Sequence, residues 1–471
     1  MKKIAKILLP LLAILLIAAL CAIPAAADDA VVFISDNGTG DGSSPDKPLG
    51  NAPDYSTWSL EAFKSSAINL AIAKLDKGGT IVVVGPTTAL WGRQSEENAK
   101  GASEFRFSPD LLDASLEYTF TSVYNGVDYR TTADAAIIAE RTAAQAICFE
   151  TRCTATFTNI QFRINQAPAS AIPTGGIAFA SYGYKLTIGE GVDTDAYLDG
   201  TKLDPTPDNA KYFFSITGGP RYNNIEADAD LTVLSGTWRA VSGGSNGFLA
   251  TSPTYGHLTG NVKVEFGGTA VILESFNGGT RSPGGWVSGD VEALISGGKI
   301  YGSVNAGGEG GFEGTGSKVN LTVTGGDFSN CDAINDYGVS PAHNLPGYTL
   351  LDYSAVDAAT ASTIRELIVG FDETVAPAGL PVDTTASPDT TAAPDTTAAP
   401  DTTAAPDTTA APDTSVAPDT TAAPADTTAA TSPKLAETSS AGFPWWIIIV
   451  AAVVVIGVVV AIVVPKSKKK D

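Results

Sequence analysis

Three stretches carry the reading of this chain: Val262-Lys263-Val264-Glu265-Phe266-Gly267-Gly268, Val291-Glu292-Ala293-Leu294-Ile295-Ser296-Gly297-Gly298 and Val319-Asn320-Leu321-Thr322-Val323-Thr324-Gly325-Gly326. In each, an apolar residue takes every second position before a glycine pair. A period of two marks a half-buried β-strand. Val233-Leu234-Ser235-Gly236 closes in the same way, and glycines 236, 268, 298 and 326 are spaced 32, 30 and 28 residues apart. One motif therefore recurs about every 30 residues. A single such unit cannot bury its own inward row, whereas stacked units share a continuous core. The runner-up is a β-sandwich or two small β domains, and sandwich strands are joined by hairpin signals. Here the turns recur at the period of whole coils instead.

Further toward the N-terminus the pattern is the same, without long helices. Short apolar runs at Tyr118–Phe120, Ala136–Ile138, Ala146–Phe149, Thr154–Phe157, Ile160–Phe162, Ile177–Phe179, Lys185–Ile188 and Phe213–Ile216 are bounded by Gly, Asn or Pro, which predicts strands. The opening is more specific. Val31–Ile34 predicts a short strand, and Ser35-Asp36-Asn37-Gly38-Thr39-Gly40-Asp41-Gly42 a turn-rich run. Leu60, Phe63, Ala67, Leu70, Ala71 and Lys74 fall at helical spacing, predicting an amphipathic helix over 58–75 that ends at Lys77-Gly78-Gly79. Thr80–Gly85 then predicts a buried strand. This order of strand, Asn/Asp/Gly turn, helix, Gly-Gly and Thr-Ile-Val-Val strand resembles the opening of right-handed parallel β-helix proteins of the pectate-lyase-like group. The resemblance covers about 60 residues. The fold expected for 28–375 is accordingly all-β: a right-handed parallel β-helix with a short N-terminal capping region at 28–85.

The two ends have other roles. Residues 1–27 have the layout of a secretory signal: Lys2, Lys3 and Lys6, an apolar run Ile7–Leu20, and Ala25-Ala26-Ala27 as a cleavage site. From Pro388, a Pro-Asp-Thr-Thr-Ala-Ala unit places prolines at 388, 394, 400, 406, 412, 418 and 424. Without large apolar residues the tract 376–442 cannot offset the entropy of folding, so a disordered, extended stalk is expected. Ile447–Val464 is 18 uncharged residues. With Trp445 and Trp446 it reaches about 30 Å as a helix, the thickness of the hydrocarbon layer. One transmembrane helix is expected over 445–464, with the tryptophans at the outer interface. Lys466, Lys468, Lys469 and Lys470 in the tail 465–471 would lie on the cytoplasmic side. Leu435-Ala436-Glu437-Thr438-Ser439 ahead of this span resembles the cell-wall sorting signal of Gram-positive surface proteins. Ala436 and Ser439 stand where that motif has Pro and Gly, which favours a retained membrane anchor. The predicted localisation is the cell surface: a single-pass protein with an extracellular body.

Composition narrows the chemistry. The full chain of 471 residues has 2 His and 4 Cys, so a zinc enzyme with several His/Cys ligands is nearly excluded. Residues 28–375 hold 41 acidic and 21 basic side chains, a charge of −20, which repels phosphate backbones and argues against a nucleic-acid partner. The catalytic signatures of the resembled fold are incomplete. Arg281-Ser282-Pro283-Gly284-Gly285-Trp286 keeps half of a lyase Arg-x-Pro-x-x-Arg run but has Trp at the second Arg, and Gly256-His257-Leu258 departs from a glycosidase Gly-His-Gly.

Among binding candidates, Asp193, Asp195 and Asp199 resemble part of a calcium loop, as does the Asp36/Asn37/Asp41 turn. Tyr197 occupies a ligand position and no terminal Glu follows, so turn chemistry is the main expectation and calcium a weak one; no other cofactor is implied. Cys148, Cys153 and Cys331 read as buried core thiols, with a Cys148–Cys153 bridge as the alternative. Trp238, Tyr255, Trp286 and Tyr301 lie in or beside the periodic coils. On a face they would stack on sugar rings; inside they would be core. The expected function is a non-catalytic surface protein, adhesin-like, binding a glycan or a protein or shaping the envelope. The alternative is a surface polysaccharide lyase or glycosidase.

Overall fold

The computed structural model describes residues 30–51, 65–89, 92–93, 103–106, 115–141, 147–166, 177–220, 224–245, 256–281, 285–308, 311–312, 318–336 and 348–378. All fall in the compact unit Met1–Ala386; the second unit is Ser387–Asp471. The expected signal segment, the stalk beyond 378, the span, Trp445, Trp446 and the lysine tail lie outside the described residues. Among the described residues, no helix is long and apolar enough to cross a membrane.

The described chain is all-β with few helices, and its strands pair mostly in parallel. It returns repeatedly to the same ladders. The leading ladder runs through Val31–Ile34, Gly79–Val83, Glu117–Thr121, Thr154–Phe157, Leu186–Ile188, Ala229–Val233 and Val262–Phe266. It continues through the first parts of Val291–Asn305 and Lys318–Asn335 to Tyr348–Asp352 and Glu373–Val375. The trailing ladder stacks Ser103–Arg106, Ile147–Glu150, Ile177–Ala180, Phe214–Thr217, Thr237–Ser242 and Val271–Asn277 in parallel. The second parts of the two long strands and Ile368–Val369 extend it. Among the described residues a middle ladder holds only Pro86–Ala89, Ala136–Arg141, Gln161–Gln166 and Asp193–Leu198. After Asp193–Leu198 the chain passes directly from the leading to the trailing ladder.

Registered inward rows make the core. Ile81, Phe120, Phe157, Ile188, Val233, Phe266, Ile295 and Val323 form one, each at 0 % exposure. Phe149, Phe179, Ile216, Val241, Phe276, Val304 and Ile334 form the facing row. Phe120 and Phe157 stack with ring centroids 4.7 Å apart. Each buried aromatic is worth about 3–5 kcal/mol on truncation.

The glycine motif behaves differently from expectation in one respect. Gly297-Gly298 and Gly325-Gly326 do not separate two strands; the strands Val291–Asn305 and Lys318–Asn335 run through them with register shifts. Gly298 has φ +78°, and a Cβ there would lie 2.7 Å from the Ala270 carbonyl oxygen. Only glycine turns this corner while the neighbouring backbone packs so close. A second row of glycines, 218, 243 and 278, marks the opposite corner, where a Cβ on each would meet the carbonyl of the residue stacked beyond it.

Beside that second corner stands a buried amide ladder. Asn305 Nδ2 donates to Asn277 Oδ1 at 2.9 Å, and Asn335 Nδ2 donates to Asn305 Oδ1 at 3.0 Å. An outer ladder does similar work: Asp228 accepts the Asn261 N–H, Asn261 the Asp290 N–H and Asp290 the Lys318 N–H, at 2.7–2.9 Å. Both ladders bond one circuit to the next independently of the strands.

Helices close the two ends of the core. The predicted helix 58–75 is shorter in its described part, Ala67–Lys74, because Ser66 caps it by accepting the Asn69 N–H at 3.3 Å; Leu60 and Phe63 lie outside the described residues. Ala67, Ile68, Ala71 and Ile72 are buried. The helix Ala358–Leu367 was not expected. Asp357 starts it by accepting the Ala359 and Thr360 N–H groups, and its Ala361 and Ile364 enter the core. Cys148, Cys153 and Cys331 are free and buried, which sets aside the bridge.

Candidate functional site

The end of the middle ladder leaves a notch. In Asp193–Leu198, Thr194 and Ala196 point inward and are buried, while Asp193, Asp195 and Tyr197 point out. The Asp193 and Asp199 N–H groups bond Ile160 and Gln166 carbonyls, so main-chain groups of alternate residues face the neighbouring strand and the rest face away. The chain then turns back at Asp199-Gly200, both with positive φ (50° and 74°), the backbone of a tight hairpin. The returning strand Thr201–Lys202 pairs with Tyr197 and Leu198, and Leu203 N–H reaches the Ala196 carbonyl at 2.8 Å. The Asp193–Thr194 end of the edge is left outside the hairpin.

Residues 203–213 complete one wall. The 3₁₀ turn Pro207–Tyr212 sets Ala210, Tyr212 and Phe213 against Ala196 and Leu273 in a satellite cluster, with Leu203 and Tyr301 packed on it. The opposite wall is the corner Ser235-Gly236-Thr237. Thr194 Oγ1 donates to the Thr237 carbonyl at 2.6 Å and accepts the Thr237 N–H. Ser235 Oγ accepts the Val192 N–H at 2.8 Å and donates to the Gly189 carbonyl. Between these walls lies a cavity of about 530 Å³, within the size range of small-molecule clefts.

Its polar lining is unevenly engaged. Asp195 Oδ2 accepts from Gln161 Nε2 and from Lys202 Nζ, each at 2.7 Å. The hydrogen bond it donates to Asp195 holds the Lys202 ammonium above its ordinary value against a smaller opposing effect of burial. Asp193 is 69 % exposed, and its nearest cation is Arg130 at 3.5 Å. Arg130 is already committed to Asp128, with Nη2 and Nε at 2.7 and 3.0 Å from its two oxygens. That hydrogen-bonded pairing lowers the Asp128 carboxyl below its usual range despite burial.

The structure thus brings Asp193 and Asp195 together at one cleft, and Asp199 into the adjoining turn. Asp36 likewise serves a turn, accepting from Asn51 Nδ2, Thr88 N–H and Thr88 Oγ1 at 2.6–2.8 Å. Among the described residues no group of three or more His, Cys, Asp or Glu is placed to hold a metal ion.

The aromatic candidates do not share a face. Trp238 is at 0 % exposure and its indole donates to the Ser235 carbonyl at 2.9 Å, so it is core and corrects the sugar-stacking alternative at that position. Tyr255 lies outside the described residues. Trp286 is half-buried in a small parallel sheet of His257–Leu258, Trp286–Val287 and Gly311–Phe312, its ring 5.7 Å from that of His257. Tyr301 is half-buried under the notch wall, with Lys299 Nζ 4.8 Å from its ring.

Arg281, the arginine kept from the lyase-like run, is held in a polar cluster. It donates to Glu274 Oε1 at 2.6 Å and to Ser215 Oγ at 2.9 Å, and Arg239 pairs with the other Glu274 oxygen. Burial pushes the Glu274 carboxyl up, but Arg281 and Arg239 together outweigh it and hold the group below its ordinary range. Gln161, Lys202, Ser235, Thr237 and Thr269 were missed as lining residues. The Asp199-Gly200 hairpin signal would have found Lys202; nothing local in the sequence marks the others.

Comparison with known protein families, curated proteins and solved structures finds no match to this chain.

Proposed function

We propose that this chain is a membrane-anchored, cell-surface protein whose body is a right-handed parallel β-helix of the pectate-lyase-like kind, and that it binds a glycan without cleaving it. Successive parallel ladders with in-register rows support the fold reading, and parallel crossovers are right-handed in nearly all proteins. The export segment, the Pro/Thr/Ala/Asp stalk and the C-terminal span in the sequence support display. The notch between Asp193–Leu198 and Ser235–Thr237 is the observation that carries the binding reading. Its amide, hydroxyl, carboxylate and ammonium groups above an apolar wall of Leu203, Pro205 and Phe213 suit a polyhydroxylated ligand. A glycan array probed with the full chain tests this. Thr269, exposed on the notch lining, offers the control: Thr269→Trp fills the cleft without touching the core. Retention of a glycan by the wild type and its loss in Thr269→Trp is the expected result. No retained glycan, or retention unaffected by the tryptophan, refutes the assignment.

A second reading, surface polysaccharide cleavage, is favoured by the Arg281–Glu274–Arg239 cluster on the trailing ladder. A carboxylate clamped by two guanidiniums is a poor proton carrier, so the cluster ranks below the notch. Release of reducing ends or unsaturated products from any glycan would favour it.

A further inference from the structure

The charge distribution inside the notch says more about its ligand than its size does. Of the two carboxylates in the lining, Asp195 is engaged twice, by Gln161 and Lys202 at 2.7 Å. Asp193 stands at the rim, 69 % exposed, with only a long 3.5 Å approach from a guanidinium that Asp128 already occupies. Counting Asp128, Asp193 and Asp195 against Arg130 and Lys202 leaves one negative charge at the cleft, within a body of charge −20 (41 acidic, 21 basic over 28–375). A uronate or sulfated sugar would meet repulsion here, and a neutral sugar would leave the Asp193 carboxylate unused. A ligand cation would find an accessible carboxylate beside hydroxyl and amide groups.

We infer that the notch recognises a glycan carrying free amino groups, a hexosamine with an unacetylated ammonium, through Asp193. This rests on the glycan-binding reading above and names its substrate class. In the bound state the ammonium donates to Asp193, while ring hydroxyls face Gln161, Thr269 and the Lys202 ammonium. A charge-assisted hydrogen bond at so exposed a rim is modest, on the order of a five- to tenfold effect on affinity. The same exposure makes the contact salt-sensitive.

The test is calorimetry on the full chain with three probes: a β-1,4-glucosamine tetramer, its fully N-acetylated counterpart and a galacturonate tetramer. The expected order is amine over acetylated by about five- to tenfold, with the uronate weakest. Asp193→Asn lowers the amine tetramer to the level of the acetylated one. Asp332→Asn, an exposed carboxylate elsewhere, leaves it unchanged. Equal binding of amine and acetylated probes, a preference that survives Asp193→Asn, or tightest binding of the uronate overturns the inference while leaving the glycan reading standing. If no probe binds and the array is also silent, both fall.

Discussion

The buried amide ladder offers the sharpest test of how the circuits are held together. Asn305 is at 0 % exposure and bonds in both directions along the stack, donating to Asn277 at 2.9 Å and accepting from Asn335 at 3.0 Å. In Asn305→Ala, Asn277 Oδ1 loses its donor inside the protein and Asn335 Nδ2 loses its acceptor at a half-buried position. An unsatisfied buried polar group costs about 1–3 kcal/mol, and a partly solvated one less. The expected destabilisation is therefore about 2–4 kcal/mol. For a urea m-value near 3 kcal/mol/M, that moves the midpoint down by roughly 1 M without changing the slope. Far-UV circular dichroism of the full chain reads it. Asn330→Ala is the control: Asn330 is exposed and its side chain bonds the neighbouring Ser329 hydroxyl, so its effect should stay within about 0.5 kcal/mol. Because Asn277 and Asn305 share one bond, the double alanine variant should cost about 1 kcal/mol less than the two single variants added. An Asn305→Ala midpoint no lower than that of Asn330→Ala, or strict additivity with Asn277→Ala, would show that strand pairing alone carries the stack.

Two further outcomes follow from the charged and thiol groups. The Glu274 carboxyl is held below its ordinary range in the fold, so its contribution is present above the unfolded carboxylate value and is lost as pH falls through the folded one. With the side chain 41 % exposed, solvent screening keeps that contribution under about 1 kcal/mol. Glu274→Gln should flatten the acid limb of a melting-temperature profile below about pH 4.5, and superimposable limbs would contradict the pairing. Burial pushes the Cys153 thiol far up and the Cys331 thiol up to about 11. At pH 8 neither is a thiolate, so a disulfide reagent should leave Cys148, Cys153 and Cys331 unmodified in the native chain. Cys331, at 9 % exposure, should react first as urea is raised. Rapid native labelling would refute the burial.

Much of the fold was legible because its signals are local. Val31–Ile34 and Thr154–Phe157 are strands at the expected residues, since β-branched and aromatic residues between turn formers leave little choice. The glycines at 236, 268 and 298 were visible because a corner with positive φ excludes most side chains. Other rows were hidden. Thr80, Thr119, Thr156, Thr187 and Thr232 stand in one outward row, yet they are unevenly spaced in the chain because the connections between circuits differ in length. The amide ladder was missed for a related reason: Asn277, Asn305 and Asn335 each end a strand, where an asparagine reads equally as a turn residue. The helix Ala358–Leu367 was missed because its two core contacts, Ala361 and Ile364, are too few to mark a periodic face.

The sequence by itself determined that the body is built of strands, where its corners fall, and that few histidines and cysteines are present. Those follow from backbone sterics and side-chain type, which act over a few residues. Only the tertiary structure decided that Trp238 is core while Asp193 is open, and that among the described residues the middle ladder has four strands. It alone joined residues as distant as Gln161 and Thr269 in one cleft. Register sets such neighbours, and register is a property of the stacked circuits rather than of any one of them.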